Sequence, residues 1–243
     1  MTVLLSVQHL SKSFGSVKVT NNLSFDLQRG ETLGILGPNG AGKTTLFNLI
    51  SGDLACDSGQ ILLKDQDITQ LPAYKRCAAG IGRSYQVAQP FGGMTVFENL
   101  VVAAMFGAGR QRRQAHDSSV EILRRTALLP KANQLAGSLT LLDRKRLELA
   151  RALATQPEVL LLDEIAGGLT EKEADQLVEM IEEIRGEGVS IIWIEHVIHA
   201  LVSVATRLLV IDFGSKLAEG PPREVMQSPD VQRIYMGVEA QHA

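Results

Sequence analysis

Cysteine is scarce in this sequence. Only Cys56 and Cys77 occur among 243 residues. Their separation matches no metal-ligand spacing, so they read as buried or idle thiols of a reducing cytoplasm. Long apolar runs are missing as well. Nowhere do 18 consecutive apolar residues occur, so no segment is expected to span a bilayer and any membrane role must come through a partner. The opening MTVLLSVQHL has neither a basic start nor a long apolar stretch, and is expected not to be a signal peptide. Charge of either sign is not in excess. The net value of −3 removes the global electrostatic case for nucleic acid or a membrane surface. There is no internal repeat and no low-complexity linker.

What remains is an ordinary globular composition, 45% hydrophobic and 21% charged, in a chain long enough for one large or two small domains with a sizeable core. The first 30 residues alternate apolar and polar in short runs (VLLSVQHL, VKVT, LSFDL), the pattern of a small antiparallel sheet. ETLGILG reads as a buried strand, followed by a glycine-rich turn and the helix KTTLFNLIS closed by Gly52. GQILLKDQDI reads as a further strand pair. From about Met94 to Ala154 the spacing turns helical, in TVFENLVVAAMF and HDSSVEILRRTALL. EVLLLDE is again a continuous apolar strand of the kind buried on both faces of a parallel sheet. The helix KEADQLVEMIEEIRGEG, the strand SIIWIEH, a helix around HALVSVA and the strand RLLVIDFG follow. Strands and helices alternating on both sides of a helical insert predict an α/β core with an inserted helical subdomain.

The insert carries its own charge. Between Arg110 and Arg151 ten Lys/Arg stand against four Asp/Glu. The run is either a solvated helical face or a docking face for a partner or for lipid headgroups.

Several short motifs carry chemistry. GPNGAGKT, Gly37 to Thr44, fits G-x-x-x-x-G-K-[ST], the P-loop pattern. Gly40 and Gly42 let backbone N–H groups turn inward around phosphate oxygens. The helix behind them presents its positive end to the same place. Lys43 is suited to the β- and γ-phosphates and the Thr44 hydroxyl to Mg²⁺. The apolar strand VLLLDE delivers Asp163 to an edge where it can hold the Mg²⁺ shell, with Glu164 next to it to orient or deprotonate a water. IIWIEH repeats the arrangement and ends at His196, expected at the γ-phosphate. Gln86, in RSYQ between a strand-like AGIG and the insert, is placed to touch Mg²⁺ or the lytic water. Phe14, in SKSFG, reads either as an adenine-stacking ring or as a core residue. His9, His116, His199 and His242 read as structural.

Together these residues resemble the ATP-binding subunits of ABC transporters, over nearly the whole chain. In that resemblance Phe14 matches the adenine-stacking loop. Gly37, Pro38, Asn39, Gly40, Ala41, Gly42, Lys43, Thr44 and Thr45 match Walker A. Gln86 matches the Q-loop, Asp163 and Glu164 Walker B, and His196 the switch histidine. The segments NNLSFDLQRGE, MTVFENLVVA, IEH and SPDVQRIYMG look most like ATPases of branched-chain amino-acid importers, the LivG type; lipopolysaccharide-export ATPases are the nearest rival.

The resemblance implies a P-loop NTPase fold. Residues 1–86 and 155–243 would form the nucleotide-binding core and 87–154 the helical subdomain. It implies ATP and Mg²⁺ as cofactors and a catalytic set of Glu164, His196 and Gln86. The partners would be a second ATPase subunit, integral-membrane permease subunits and, indirectly, a substrate-binding protein, with no nucleic acid. The place would be the cytoplasm, peripheral on the inner face of the membrane. A soluble ATPase that remodels DNA or ribosomes is the reading from another class. Such proteins usually carry paired cassettes, long coiled coils or zinc hooks, none of which is read in this sequence.

Three motifs depart from the family pattern. The signature LSGGQ is replaced by LTLLD, with Thr140, Leu141-Leu142 and Asp143 at its second to fifth positions. Ile165 follows Glu164 where proline is usual, and Thr170 ends GGLT where an aspartate is common. The first and third fall on residues that would contact nucleotide across a dimer. TLLD still fits [ST]-x-x-[DE], a capping box with Thr140 as N-cap, so the signature helix is expected to start in its usual place. Thr140 is the residue expected to reach the γ-phosphate of the opposing subunit.

Overall fold

The computed structural model describes residues 2–239; His242 lies outside them. The chain divides into two compact units, Met1–Leu71 with Ile192–Ala243, and Pro72–Ile191.

The first unit opens with β1 (Val3–Phe14) and β2 (Val17–Gln28), paired antiparallel as the alternation predicts. β3 (Thr32–Leu36) and α1 (Lys43–Ser51) follow, then β4 (Ser58–Leu63) and β5 (Gln66–Asp67). The antiparallel sheet has the order β2-β1-β4-β5. Its alternation slips between Val7 and Leu10, where Gln8 and His9 both face outward and His9 takes φ 51°. This is a β-bulge. It is pinned by the His9 N–H on Ser24 Oγ at 2.8 Å and by His9 Nδ1 with Asn22 Oδ1 at 2.9 Å, which makes His9 the structural residue its context suggests.

The second unit holds α2 (Ala73–Ala79), β6 (Ile81–Arg83), α3 (Val96–Phe106), α4 (Arg112–Arg125), α5 (Leu141–Ala154), β7 (Val159–Asp163) and α6 (Glu171–Gly186). β6 pairs parallel with β7. Capping boxes start two of the helices: Thr95 with Glu98 at α3, and Thr170 with Glu173 at α6. α3 packs on both α4 and α5. All five residues of β7 are buried, the burial that its unbroken apolar run requires.

β8 (Ser190–Ile194), also buried throughout, runs across the boundary between the units. The chain then completes the first unit with α7 (Ile198–Val204), β9 (Arg207–Asp212), β10 (Ser215–Gly220), α8 (Pro222–Gln227) and α9 (Pro229–Glu239). β9 lies parallel to β3 and antiparallel to β10. The expected parallel strands, antiparallel N-terminal sheet and helical segment are all found.

Candidate nucleotide site

The P-loop leaves β3 at Gly37 and enters α1 at Lys43. Two of its glycines are dictated by crowding. A Cβ at Gly37 would lie 2.2 Å from the Ile211 carbonyl oxygen, and one at Gly42 would lie 2.2 Å from that of Val19. Gly42 is also the N-cap of α1 with φ 98°, a conformation L side chains rarely adopt. The loop is tied down by the Gly214 N–H on Ala41 O at 3.1 Å. Lys43 is only 6% exposed and curls back over the loop, donating to Gly37 O at 2.7 Å and Pro38 O at 3.0 Å. Asn39, Gly40 and Thr44 are exposed, while Pro38 and Thr45 are half-buried. A cation, a turn of glycines and the first N–H groups of a helix form a donor set suited to a polyphosphate.

Phe14 ends β1 just before the hairpin turn. Its ring is 52% exposed, so the core alternative for this residue fails. Lys12 Nζ lies 5.7 Å from the ring centre and is itself paired with Asp57 at 2.7 Å. His196 is exposed just beyond β8, its backbone N–H donating to the buried Glu195 carboxylate at 3.0 Å. His116 packs edge-on against Phe97 within the helical segment, as a structural residue does.

In the second unit the parallel register of β6 and β7 carries two chain ends out on one side. Arg83 pairs with Leu161, and the Ser84 N–H bonds Leu161 O at 2.9 Å. Gln86 and Glu164 therefore leave the same sheet edge, and the Gln86 amide donates to the Glu164 carboxylate. Glu164 sits at φ 46°. A non-glycine residue there costs roughly 1–3 kcal/mol and is retained where the surroundings over-determine it. Asp163, 2% exposed, is paired with Arg83 at 3.1 Å, and the Arg83 guanidinium stacks 4.7 Å from the Tyr85 ring centre.

Three charged side chains of α5 reach this edge. Lys145 donates to Gln86 O at 2.9 Å and to Glu164 O at 3.2 Å. Glu148 accepts from the Gln89 N–H at 3.0 Å and from Arg151 at 2.7 Å. Burial pushes the Glu148 carboxyl above the usual range, against the opposing pull of Arg151, the Gln89 N–H and Lys145. Arg151 also donates to Gln89 O at 3.0 Å.

The start of α5 is capped as TLLD suggests, with one difference. Thr140 Oγ1 accepts from the Asp143 N–H at 3.4 Å, but the Asp143 carboxylate takes the Thr140 hydroxyl, at 2.7 Å, rather than completing the box on the backbone. It is also paired with Lys131, and Arg146 lies 3.7 Å away. Burial is the largest single influence and acts upward. The combined pull of Lys131, Thr140 and Arg146 outweighs it and holds the carboxyl below the usual carboxylate range. The negative charge introduced at this position is thus neutralised locally. Thr140 and Leu141 remain exposed. Ile165, the second departure, is fully buried, and Thr170, the third, caps α6.

The basic run of the insert proves mixed. Arg112 and Arg113 are exposed at the head of α4, Arg124 pairs with Glu121 and Arg125 with Glu187, but Lys145 is 5% exposed. Counting charges in sequence hid Lys145, Arg83 and Glu148, none of which was singled out there. The available signal was proximity to motifs already marked: Arg83 stands three residues before Gln86, and Lys145 five after Thr140. Tyr85, Val87, Phe91 and Met94 form an exposed apolar group in the same segment.

Among the described residues no cluster of three or more His, Cys, Asp or Glu could hold a metal ion. No described helix is long and apolar enough to cross a membrane.

Comparison with known proteins places the chain in a family. The profile of the family described as "ABC transporter" matches residues 20–167, and one described as "Branched-chain amino acid ATP-binding cassette transporter" matches residues 215–241. The high-affinity branched-chain amino acid transport ATP-binding protein LivG of Escherichia coli K12 is 39% identical, over 96% of this chain and 98% of LivG. The lipopolysaccharide export system ATP-binding protein LptB of the same organism is 32% identical, over 96% and 97%. The crystal structure of MJ1267, an ATP-binding cassette of an ABC transporter in its ADP conformation, superposes with a TM-score of 0.88 at 28% identity, covering 98% of this chain and all of that one. The chain belongs to the ABC transporter family, as one of its ATP-hydrolysing ATP-binding cassettes.

Proposed function

We propose that this cassette hydrolyses MgATP as half of a dimer and thereby drives a membrane permease that imports branched-chain or other hydrophobic amino acids. The observation that carries the substrate class is the similarity to LivG, joined by the C-terminal match at residues 215–241. Both favour amino-acid import over lipopolysaccharide export, whose ATPase is the more distant relative. Residues 87–154 are taken as the helical subdomain and 1–86 with 155–243 as the nucleotide-binding core.

In this reading Gly37 to Thr45 hold the phosphates, with Lys43 supplying the cation. Thr44, Gln86 and Asp163 provide oxygens for Mg²⁺, which would supply charge neutralisation on the phosphates. Glu164 accepts the proton of the attacking water, Gln86 orients that water, and His196 contacts the γ-phosphate. Thr140, at the head of α5, reaches the nucleotide held by the second subunit. The exposed group Tyr85, Val87, Phe91 and Met94 supports a partner surface, because apolar side chains clustered on one exposed segment mark interaction sites. The chain would lie peripherally on the inner face of the membrane through its permease, with a substrate-binding protein as an indirect partner.

Energised uptake tests the reading. Membranes carrying the complete transporter should accumulate leucine, isoleucine or valine with ATP inside, and lose that uptake when this subunit is deleted. Unchanged uptake of all three, with another solute lost instead, would overturn the substrate class. The adenine contact has its own test. Phe14→Ala should weaken nucleotide affinity by about 1–3 kcal/mol if the exposed ring stacks on the base, measured by titration calorimetry. Unaltered affinity in the folded variant would show that the ring makes no contact with the base.

A further inference from the structure

We infer that Lys145 is a positioning residue for the hydrolytic base, and that it ties the aim of Glu164 to the first turns of α5. The inference rests on the reading of Glu164 as that base.

The contacts form a closed ring. Lys145 Nζ donates to Gln86 O and Glu164 O, and the Gln86 side-chain amide donates to the Glu164 carboxylate. Gln86 and Glu164 are thus joined twice, through main-chain carbonyls held by one ammonium and through their side chains. A compact ammonium with three donors can satisfy two carbonyls arriving from different segments. Its burial, at 5% exposure, is tolerable because such partners replace water. The Glu164 carbonyl also accepts from the Gly167 N–H at 3.2 Å. Loss of the ammonium therefore leaves the local turn and the side-chain bond intact and removes the main-chain tie to Gln86.

Lys145 stands five residues beyond Thr140, about 7.5 Å of helix rise at ~1.5 Å per residue. The two share a rigid element. The Thr140 end is fixed by Asp143 and Lys131, and the next turns are fastened to the Q-loop segment by Glu148 and Arg151. A displacement of the helix head is passed to the carbonyls that set the pose of the base. The chain has no glycine pair at 141–142 to bend independently, so the head and Lys145 move together.

The test compares Lys145→Met, of similar length without charge or donors, with Lys145→Arg, which keeps both. Lys145→Met should lower kcat by about 10- to 100-fold, the loss expected when a reacting group is misplaced by ~1 Å, with ATP affinity within twofold of wild type. Hydrogen exchange in the nucleotide-free protein should quicken at residues 86–89 and 164–167 and not elsewhere. In a Glu164→Gln background Lys145→Met should cause no further loss of turnover. Lys145→Arg should hold most of the turnover, and it carries the test if Lys145→Met fails to fold, since an inactive but fully folded and ATP-binding Lys145→Arg contradicts the role. Undiminished kcat in Lys145→Met, while Glu164→Gln is inactive, overturns the positioning role alone. Wild-type turnover in Glu164→Gln overturns the underlying reading instead. Additive losses in the double variant show that Lys145 acts independently of Glu164, against the inference.

Discussion

Lys43→Ala is expected to abolish ATP binding in practical terms, raising Kd by at least about 100-fold. The ammonium of Lys43 is held at the P-loop by the carbonyls of Gly37 and Pro38, so the side chain is ordered over the loop that would cradle the phosphates. A hydrogen bond to a charged partner contributes roughly 1.5–3 kcal/mol, and a lysine placed over two phosphate groups makes more than one. Because the same ammonium also braces the loop, the alanine variant removes both the charge and the brace. Lys43→Arg separates them by restoring the cation. Titration calorimetry with MgATP, beside the melting temperature of each variant, reads the result. Normal affinity in a folded Lys43→Ala protein would contradict the assignment of the P-loop as the phosphate site.

The parts of this structure written locally were legible. β3, β7 and β8 announce themselves as short apolar runs because both faces are covered. The P-loop glycines follow from a fixed spacing, and the structure supplies the reason in the carbonyls of Ile211 and Val19, more than 20 residues away in sequence. Thr140 was readable as a helix start, since a cap is set by residues three apart; Thr95 and Thr170 carry the same spacing to Glu98 and Glu173, and the structure reveals them as caps.

What escaped depends on distant partners. The bulge at His9 arises from pairing with β2 and disturbs an otherwise clean alternation. β10, SKLAEG, has little strand character of its own and exists through its ladder to β9. α2 spans seven residues, too few for a helical period to be read. Lys145 looked like one more charge on a basic face, and only the fold shows that its ammonium is buried against two carbonyls. Asp143 stands in the sequence only as a departure from the signature and a capping residue, because Lys131, twelve residues earlier, could not be assigned to it from sequence.

Glu164→Gln should leave ATP bound while reducing turnover by ~10²–10⁴, the usual worth of a positioned general base. The substitution preserves the size of the side chain and removes the proton acceptor. The surroundings argue that the change stays local: β7 is buried along its whole length, the Glu164 carbonyl is held by Lys145 and the Gly167 N–H, and the residue keeps φ 46° through these ties. The bond from the Gln86 amide to Glu164 survives as an amide–amide contact. The most direct measurement of the whole account is therefore phosphate release from MgATP by the purified transporter, wild type beside Glu164→Gln, with bound nucleotide quantified in both. The account predicts Mg²⁺-dependent release from the wild type, and a Glu164→Gln protein that retains intact ATP with release cut at least about 100-fold. Equal release from the two, or a wild type that binds ATP and never cleaves it, would contradict the claim that this chain is the motor of a transporter.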